Sequence, residues 1–195
     1  GVVRLLHERG IPSVLGNHEA AVLDPGLRDW FNPQARRALE RTLELLSQET
    51  VKIISQFPRS MTVEGALCVH GFPPASFRVY LFQVPDRILA RVLPRMKYPV
   101  CFVGHTHTLE MVCFDGEAAR RDAIEAGRHS LGCRKHIVNV GSLGQPRDGD
   151  NNAKYVIWNT GDRTVEVRYV RYDIARTVRK ITERGLPEIY ALRLW

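Results

Sequence analysis

The chain has 195 residues, 44% of them hydrophobic and 25% charged, with a formal charge of +7. That balance suits a globular chain with a real core and argues against extended disorder. No apolar run approaches the length needed to cross a bilayer, and the first residues, GVVRLLHERG, lack the layout of a signal peptide.

Leu5 to Gly10 reads as the end of a helix, with Gly10 as its stop and Pro12 just beyond. IPSVLG is predicted to be a short strand ending at Gly16, and Asn17-His18-Glu19 follows at once. Asn32-Pro33 is a helix start, an N-cap followed by proline at the first helical position. Ala35, Ala38, Leu39, Thr42, Leu45 and Leu46 then recur at helical spacing, and Val51 to Phe57 suggests a second short helix. MTVEGALCVHG reads as two strands turning at Glu64-Gly65. Asp86 to Leu93 is a helix bounded by Pro85 and Pro94.

YPVCFVG and LEMVCFDG are strands, and HIVNVGS is another. Glu117 to Lys135 between them is polar and irregular, and is expected to be a surface loop or short helix. KYVIWNTGDRTVEVRYV is a hairpin turning at NTGD. Asp173 caps a last helix that runs to Arg184 and stops at Gly185. No repeat and no linker divides the chain, so residues 1–195 are expected to form one domain.

Cys68, Cys101, Cys113 and Cys133 contain no C-x-x-C pair. They are expected to be reduced, in a cytoplasmic setting, with Cys68 and Cys101 acting as small buried hydrophobes. The positive residues are dispersed through helical segments, with no basic stripe interleaved with aromatics. This argues against nucleic acid as the partner. Positive charge also suits a phosphate-bearing ligand.

Three predicted strands end alike. Asn17-His18-Glu19 follows SVLG, His70-Gly71 follows ALCV, and His105-Thr106-His107 follows CFVG. Ligands gather at strand ends in sheet-based folds. Glycine beside each histidine would let the backbone turn tightly. A lone histidine in a turn is more often solvated or hydrogen-bonded than a ligand, but three such junctions in one chain weaken that reading. His7, His129 and His136 do not follow the pattern. Imidazole suits Zn, Mn, Fe or Ni, and Asn17 offers a carbonyl oxygen to a harder ion.

GNHE, VHG and GHTH, in that order, resemble the calcineurin-like metallophosphoesterases. The tail NVGSLGQPRDGDNNAKYVIW is similar to the bacterial and archaeal phosphodiesterase branch. The resemblance implies an α/β (α+β) fold, an αββα sandwich of two mixed sheets flanked by helices. It implies a centre of two divalent metal ions (Mn, Fe, Zn or Ni, with Mn favoured). By that match Asn17, His70 and His105 bind one metal and His107 the other, while His18 assists the leaving oxygen. Glu19 stands where the family more often has Asp, a residue that orients the histidine. The implied activity is hydrolysis of a phosphodiester or phosphomonoester, in a small molecule or nucleotide, by a hydroxide activated between ions roughly 3.5–4 Å apart.

The family's first two motifs, Asp-x-His and Gly-Asp-x-x-Asp, are not found. They supply one metal's ligands and the carboxylate that bridges both. Glu19, Asp148 and Asp150 are the acidic residues near the remaining motifs, and none stands at the matching place. Two dications side by side without a bridging anion repel strongly. The chain is therefore expected to lack the family's first strand-helix-strand unit, an expectation that the missing initial methionine shares, and to have impaired activity. A non-catalytic binding or scaffold module on the same fold is the alternative.

Overall fold

A computed structural model describes all residues, Gly1 to Trp195. In chain order it contains α1 (Val2–Glu8), α2 (Asn17–Leu23), α3 (Pro33–Leu45), α4 (Gln48–Ile54), β1 (Ser60–Val63), β2 (Ala66–Val69), α5 (Asp86–Val92), β3 (Val100–Val103), β4 (Leu109–Phe114), β5 (Ala119–Ala123), β6 (Gly127–Ser130), β7 (Lys135–Val140), β8 (Ala153–Asn159), β9 (Thr164–Val170), α6 (Ile174–Glu183) and α7 (Ile189–Leu192). These elements form two compact units. One comprises residues 1–58 and 173–195, the other residues 59–172.

The first unit is helical. Asn32 and Asp173 cap α3 and α6 as expected, each side chain accepting from the backbone N–H three residues on, at 2.9 and 2.7 Å. The second predicted helix begins earlier than its apolar residues suggest, because Ser47 Oγ accepts from Thr50 N and starts α4 at Gln48. Residues 11–16 form no strand. Pro12 has no N–H to give, and the one backbone bond tying the segment to a residue distant in sequence runs from Leu15 N to Pro58 O. The segment is extended chain that ends at Asn17, the first residue of α2.

The second unit carries two sheets. The larger has the strand order β1-β2-β3-β7-β4-β5, and the smaller β6-β9-β8. Only the larger is mixed: β2, β3 and β7 run parallel, while the smaller sheet is antiparallel throughout. Alternation along β3 divides the core. Cys101 and Val103 join Leu89 of α5 and Leu93, whereas Val100 and partly buried Phe102 join Val165 and Val167 of β9. The larger sheet is thus covered by α5 on one face and by the smaller sheet on the other. The β1–β2 turn is a tight hairpin, with Glu64 and Gly65 at φ 46° and 73°.

The polar stretch 117–135 holds β5, β6 and the start of β7 rather than a loop or helix. Its polarity is that of edge strands, since β5 and β6 each pair on one side only. Arg121 of β5 bridges Glu110 at 2.7 Å and Asp86 at 2.9 Å.

Cys113 and Cys133 form a disulfide across 20 residues, Cα to Cα 5.8 Å, which corrects the expectation of four reduced thiols. Cys68 and Cys101 are free. Cys101 is buried, which pushes its thiol pKa up and keeps it protonated. Burial, with the Arg163 charge adding to it, pushes the His136 imidazole down to about 4, so the ring is neutral at pH 7. No helix is long and apolar enough to cross a membrane.

Candidate metal centre

Parallel pairing brings two of the three predicted junctions together. Leu67 and Cys68 of β2 lie beside Cys101 and Phe102 of β3. The residues just past the two strands therefore emerge side by side, and Gly104 N donates to His70 O at 2.9 Å. His70 Nε2 and His105 Nδ1 end 3.0 Å apart. The Tyr80 ring stacks on His105, centroids 3.9 Å apart at 17°.

The backbone at GHTH is strained. His105 and His107 have φ of 59° and 63°, the left-handed region, which costs roughly 1–3 kcal/mol for each non-glycine residue. The histidines take this conformation themselves; Gly104 does not. Thr106 between them is buried, accepts from the buried Asn139 amide, and shares a 3.0 Å hydrogen bond with Thr108. Asn139 lies on β7, and its own Oδ1 accepts from Gly141 N at 3.3 Å. A buried amide on the sheet thus holds the strained loop.

Gly71 serves through close approach rather than unusual φ. A Cβ there would stand 2.8 Å from Ser76 O and 2.9 Å from Val79 O, both main chain. The loop folds back on itself, with Gly71 N and Phe72 N both donating to Ser76 O. We expect Gly71→Ala to force this loop away from His70. It should cost about 1–3 kcal/mol in thermal unfolding, whereas Gly104→Ala, with nothing nearer than 3.8 Å, should cost less.

His107 faces different partners. Its Nδ1 lies 2.8 Å from Gln145 O. A carbonyl can only accept, so Nδ1 carries the proton and the lone pair stays on Nε2. Asn17 and His18 belong to the helical unit, at the start of α2. Asn17 is buried, and the His18 ring makes an edge contact with Phe31, centroids 4.8 Å apart. Glu19 sits in the first turn of the same helix.

Asp148 and Asp150 are engaged elsewhere. Asp148 Oδ1 pairs with Lys154 Nζ at 2.6 Å, and its Oδ2 accepts from Leu109 N. The Asp150 carboxylate accepts from Asn152 N, which holds its pKa low, and stands 3.4 Å from Lys154 Nζ. Phe72 to Arg78 borders the histidine pair as the loop leaving His70. Residues 117–134 do not: β5 is separated from β3 by β4 and β7. Tyr80 and Asn139 carry no motif, and both act through long-range contacts.

The residues of this unit fit a metal ion. Donors at right angles on an ion with bonds near 2.1 Å lie about 3.0 Å apart, and tetrahedral donors about 3.4 Å. The His70–His105 hydrogen bond falls at that spacing, and the His105 ring is backed by Tyr80.

No family model matches the chain. An uncharacterised protein of Methanocaldococcus jannaschii is 29% identical over 198 residues, covering 99% of this chain and 78% of that protein. The crystal structure of a hypothetical protein from Pyrococcus horikoshii is 17% identical with TM-score 0.74, covering 100% of this chain and 76% of the other, a likeness of fold. The crystal structure of a metallophosphoesterase from Sphaerobacter thermophilus is 32% identical with TM-score 0.80, and the match covers 98% of this chain and 79% of that one. With the order of its GNHE, VHG and GHTH motifs and this likeness in sequence and fold, the chain belongs to the calcineurin-like metallophosphoesterase family.

Proposed function

We propose that the chain is a metal-dependent phosphoesterase whose first ion is held by His70 Nε2 and His105 Nδ1, with Asn17 adding its amide oxygen. The observation that carries this reading is the 3.0 Å separation of those two nitrogens at the ends of adjacent parallel strands. A divalent ion so held supplies Lewis-acid polarisation of a phosphoryl oxygen and a water that ionises near neutral pH.

The chain's own groups do the rest. His70 Nε2 and His105 Nδ1 share a hydrogen bond, one of them carrying the proton; with that proton displaced, both lone pairs would face an ion held there, while the stacked Tyr80 ring restrains His105. His18, when protonated, gives its proton to the departing ester oxygen, and Glu19 orients it. Surplus positive charge favours approach of an anionic ester. His107, its tautomer set by Gln145 O, would be the donor to a second ion. Both Asp148 and Asp150 are committed to Lys154, so this chain supplies no evident bridging carboxylate. One tightly bound ion per chain and weak hydrolysis follow. Manganese is the favoured ion, and the substrate is a phosphate-ester small molecule or nucleotide.

The experiment is to load the chain with Mn²⁺, desalt it, count metal per chain by elemental analysis, and assay chromogenic phosphodiesters and phosphomonoesters. Metal with hydrolysis supports the reading. Metal with no hydrolysis of either ester favours the binding-module alternative, and no retained metal refutes the metal-dependent reading. His18→Ala should lower turnover by about 10²–10⁴-fold while bound metal stays unchanged. Parallel loss of metal and activity would make His18 a ligand instead.

A further inference from the structure

We propose that Cys113, Cys133 and His136 form a second site, for a zinc-like soft divalent cation, opened by reduction of the disulfide and closed by its oxidation. Cys113 of β4 and His136 of β7 are directly paired across the antiparallel ladder, so two donors stand on rigid backbone. Cys133 lies on the segment entering β7, and that segment is pinned where Arg134 N donates to Phe114 O at 3.0 Å. One ring nitrogen and the two sulfurs all lie within 4.8 Å of one another.

A second observation points to a ligand. His136 is 1% exposed, and its Nδ1 has no hydrogen-bond partner. A buried polar atom left so costs about 1–3 kcal/mol, and a neutral imidazole in such a position is suited to a cation. Tetrahedral zinc with bonds near 2.3 Å holds two sulfurs about 3.8 Å apart, a spacing the cysteine side chains reach by rotation once the S–S bond is broken. Two thiolates cancel the charge of a dication, which a partly buried site requires. Three protein donors leave one coordination place for water, and the partly buried Cys133 side gives solvent its entry.

The chemistry balances with a phosphine as reductant. The disulfide, one phosphine and one water give two thiols and the phosphine oxide. The two thiols and Zn²⁺ then give a bis-thiolate complex and release two protons. The site is independent of the histidine pair. His136 pairs with Val100, at the start of β3, whereas His105 follows its end, so the two sites occupy opposite ends of the same sheet.

The full chain should be titrated with Co²⁺ before and after treatment with a phosphine, following the near-ultraviolet thiolate-to-cobalt charge-transfer band. The reduced chain should show the band, saturate within two equivalents because the histidine pair competes for the first, and lose it to Zn²⁺; the oxidised chain should show none. Cys133→Ser, at a partly buried position, should abolish the band, and His136→Ala should weaken Co²⁺ binding at least tenfold. His70→Ala should leave the band intact. No band on reduction, or an undiminished band in Cys133→Ser, overturns the proposal.

Discussion

Replacing His105 with alanine should lower Mn²⁺-dependent phosphoester hydrolysis by at least about 10²-fold and remove the retained ion. The reason is geometric. His105 Nδ1 and His70 Nε2 meet at the spacing of two donors on one ion, and removing one leaves a single protein nitrogen at that point. His70→Ala should behave alike, because each ring depends on the other as a ligand pair. Tyr80→Ala should act differently. It removes the ring stacked on His105 but no donor, so metal affinity should weaken while a saturating metal concentration restores turnover. Metal content and rate, measured across a Mn²⁺ titration, separate these cases. Full activity of His105→Ala at ordinary metal concentration would remove the histidine pair from the chemistry.

The largest stability effect is expected at Lys154. Its side chain is 0% exposed, pairs with Asp148 at 2.6 Å and donates to Asp150 O at 2.7 Å. The ammonium also lies over the Tyr169 ring, 5.1 Å from its centroid. Lys154→Met keeps the stem's bulk and removes the charge. It leaves Asp148, 17% exposed, with an uncompensated carboxylate. Breaking a buried pair from one side costs about 3–5 kcal/mol, and for a chain of this size that lowers the melting temperature by roughly 10 °C. Adding Asp148→Asn to the same chain should recover part of the loss, because the stranded charge goes with it. Calorimetry on the three variants decides the matter. A change below about 1 kcal/mol in Lys154→Met would show that water or a shifted side chain satisfies Asp148.

Local chemistry made much of this fold readable. Asn32 and Asp173 announce helix starts because a side-chain oxygen caps the turn directly after it, and Glu64-Gly65 announces a hairpin because its turn needs positive φ. What depends on distant partners was not readable. β5 and β6 look like loop because edge strands tolerate polar residues, and only the pairing with β4 and β9 makes them strands. Residues 11–16 look like a strand because they are apolar, yet no residue distant in sequence pairs with them beyond Pro58 O. Cys113 and Cys133 join across a gap that no spacing rule flags.

The same division runs through the site. His70 and His105 were visible as strand-to-histidine junctions, and parallel pairing of β2 with β3 then brought them together. The supports were hidden. Tyr80 reaches His105 from a loop without a motif, and Asn139 sits within a strand that reads as ordinary core.

The most direct measurement is a crystal structure of the chain soaked in Mn²⁺, with anomalous differences recorded near the manganese edge. The account predicts a strong peak within about 2.1–2.3 Å of both His70 Nε2 and His105 Nδ1. No peak between them, with the two rings still hydrogen-bonded to each other, would contradict it.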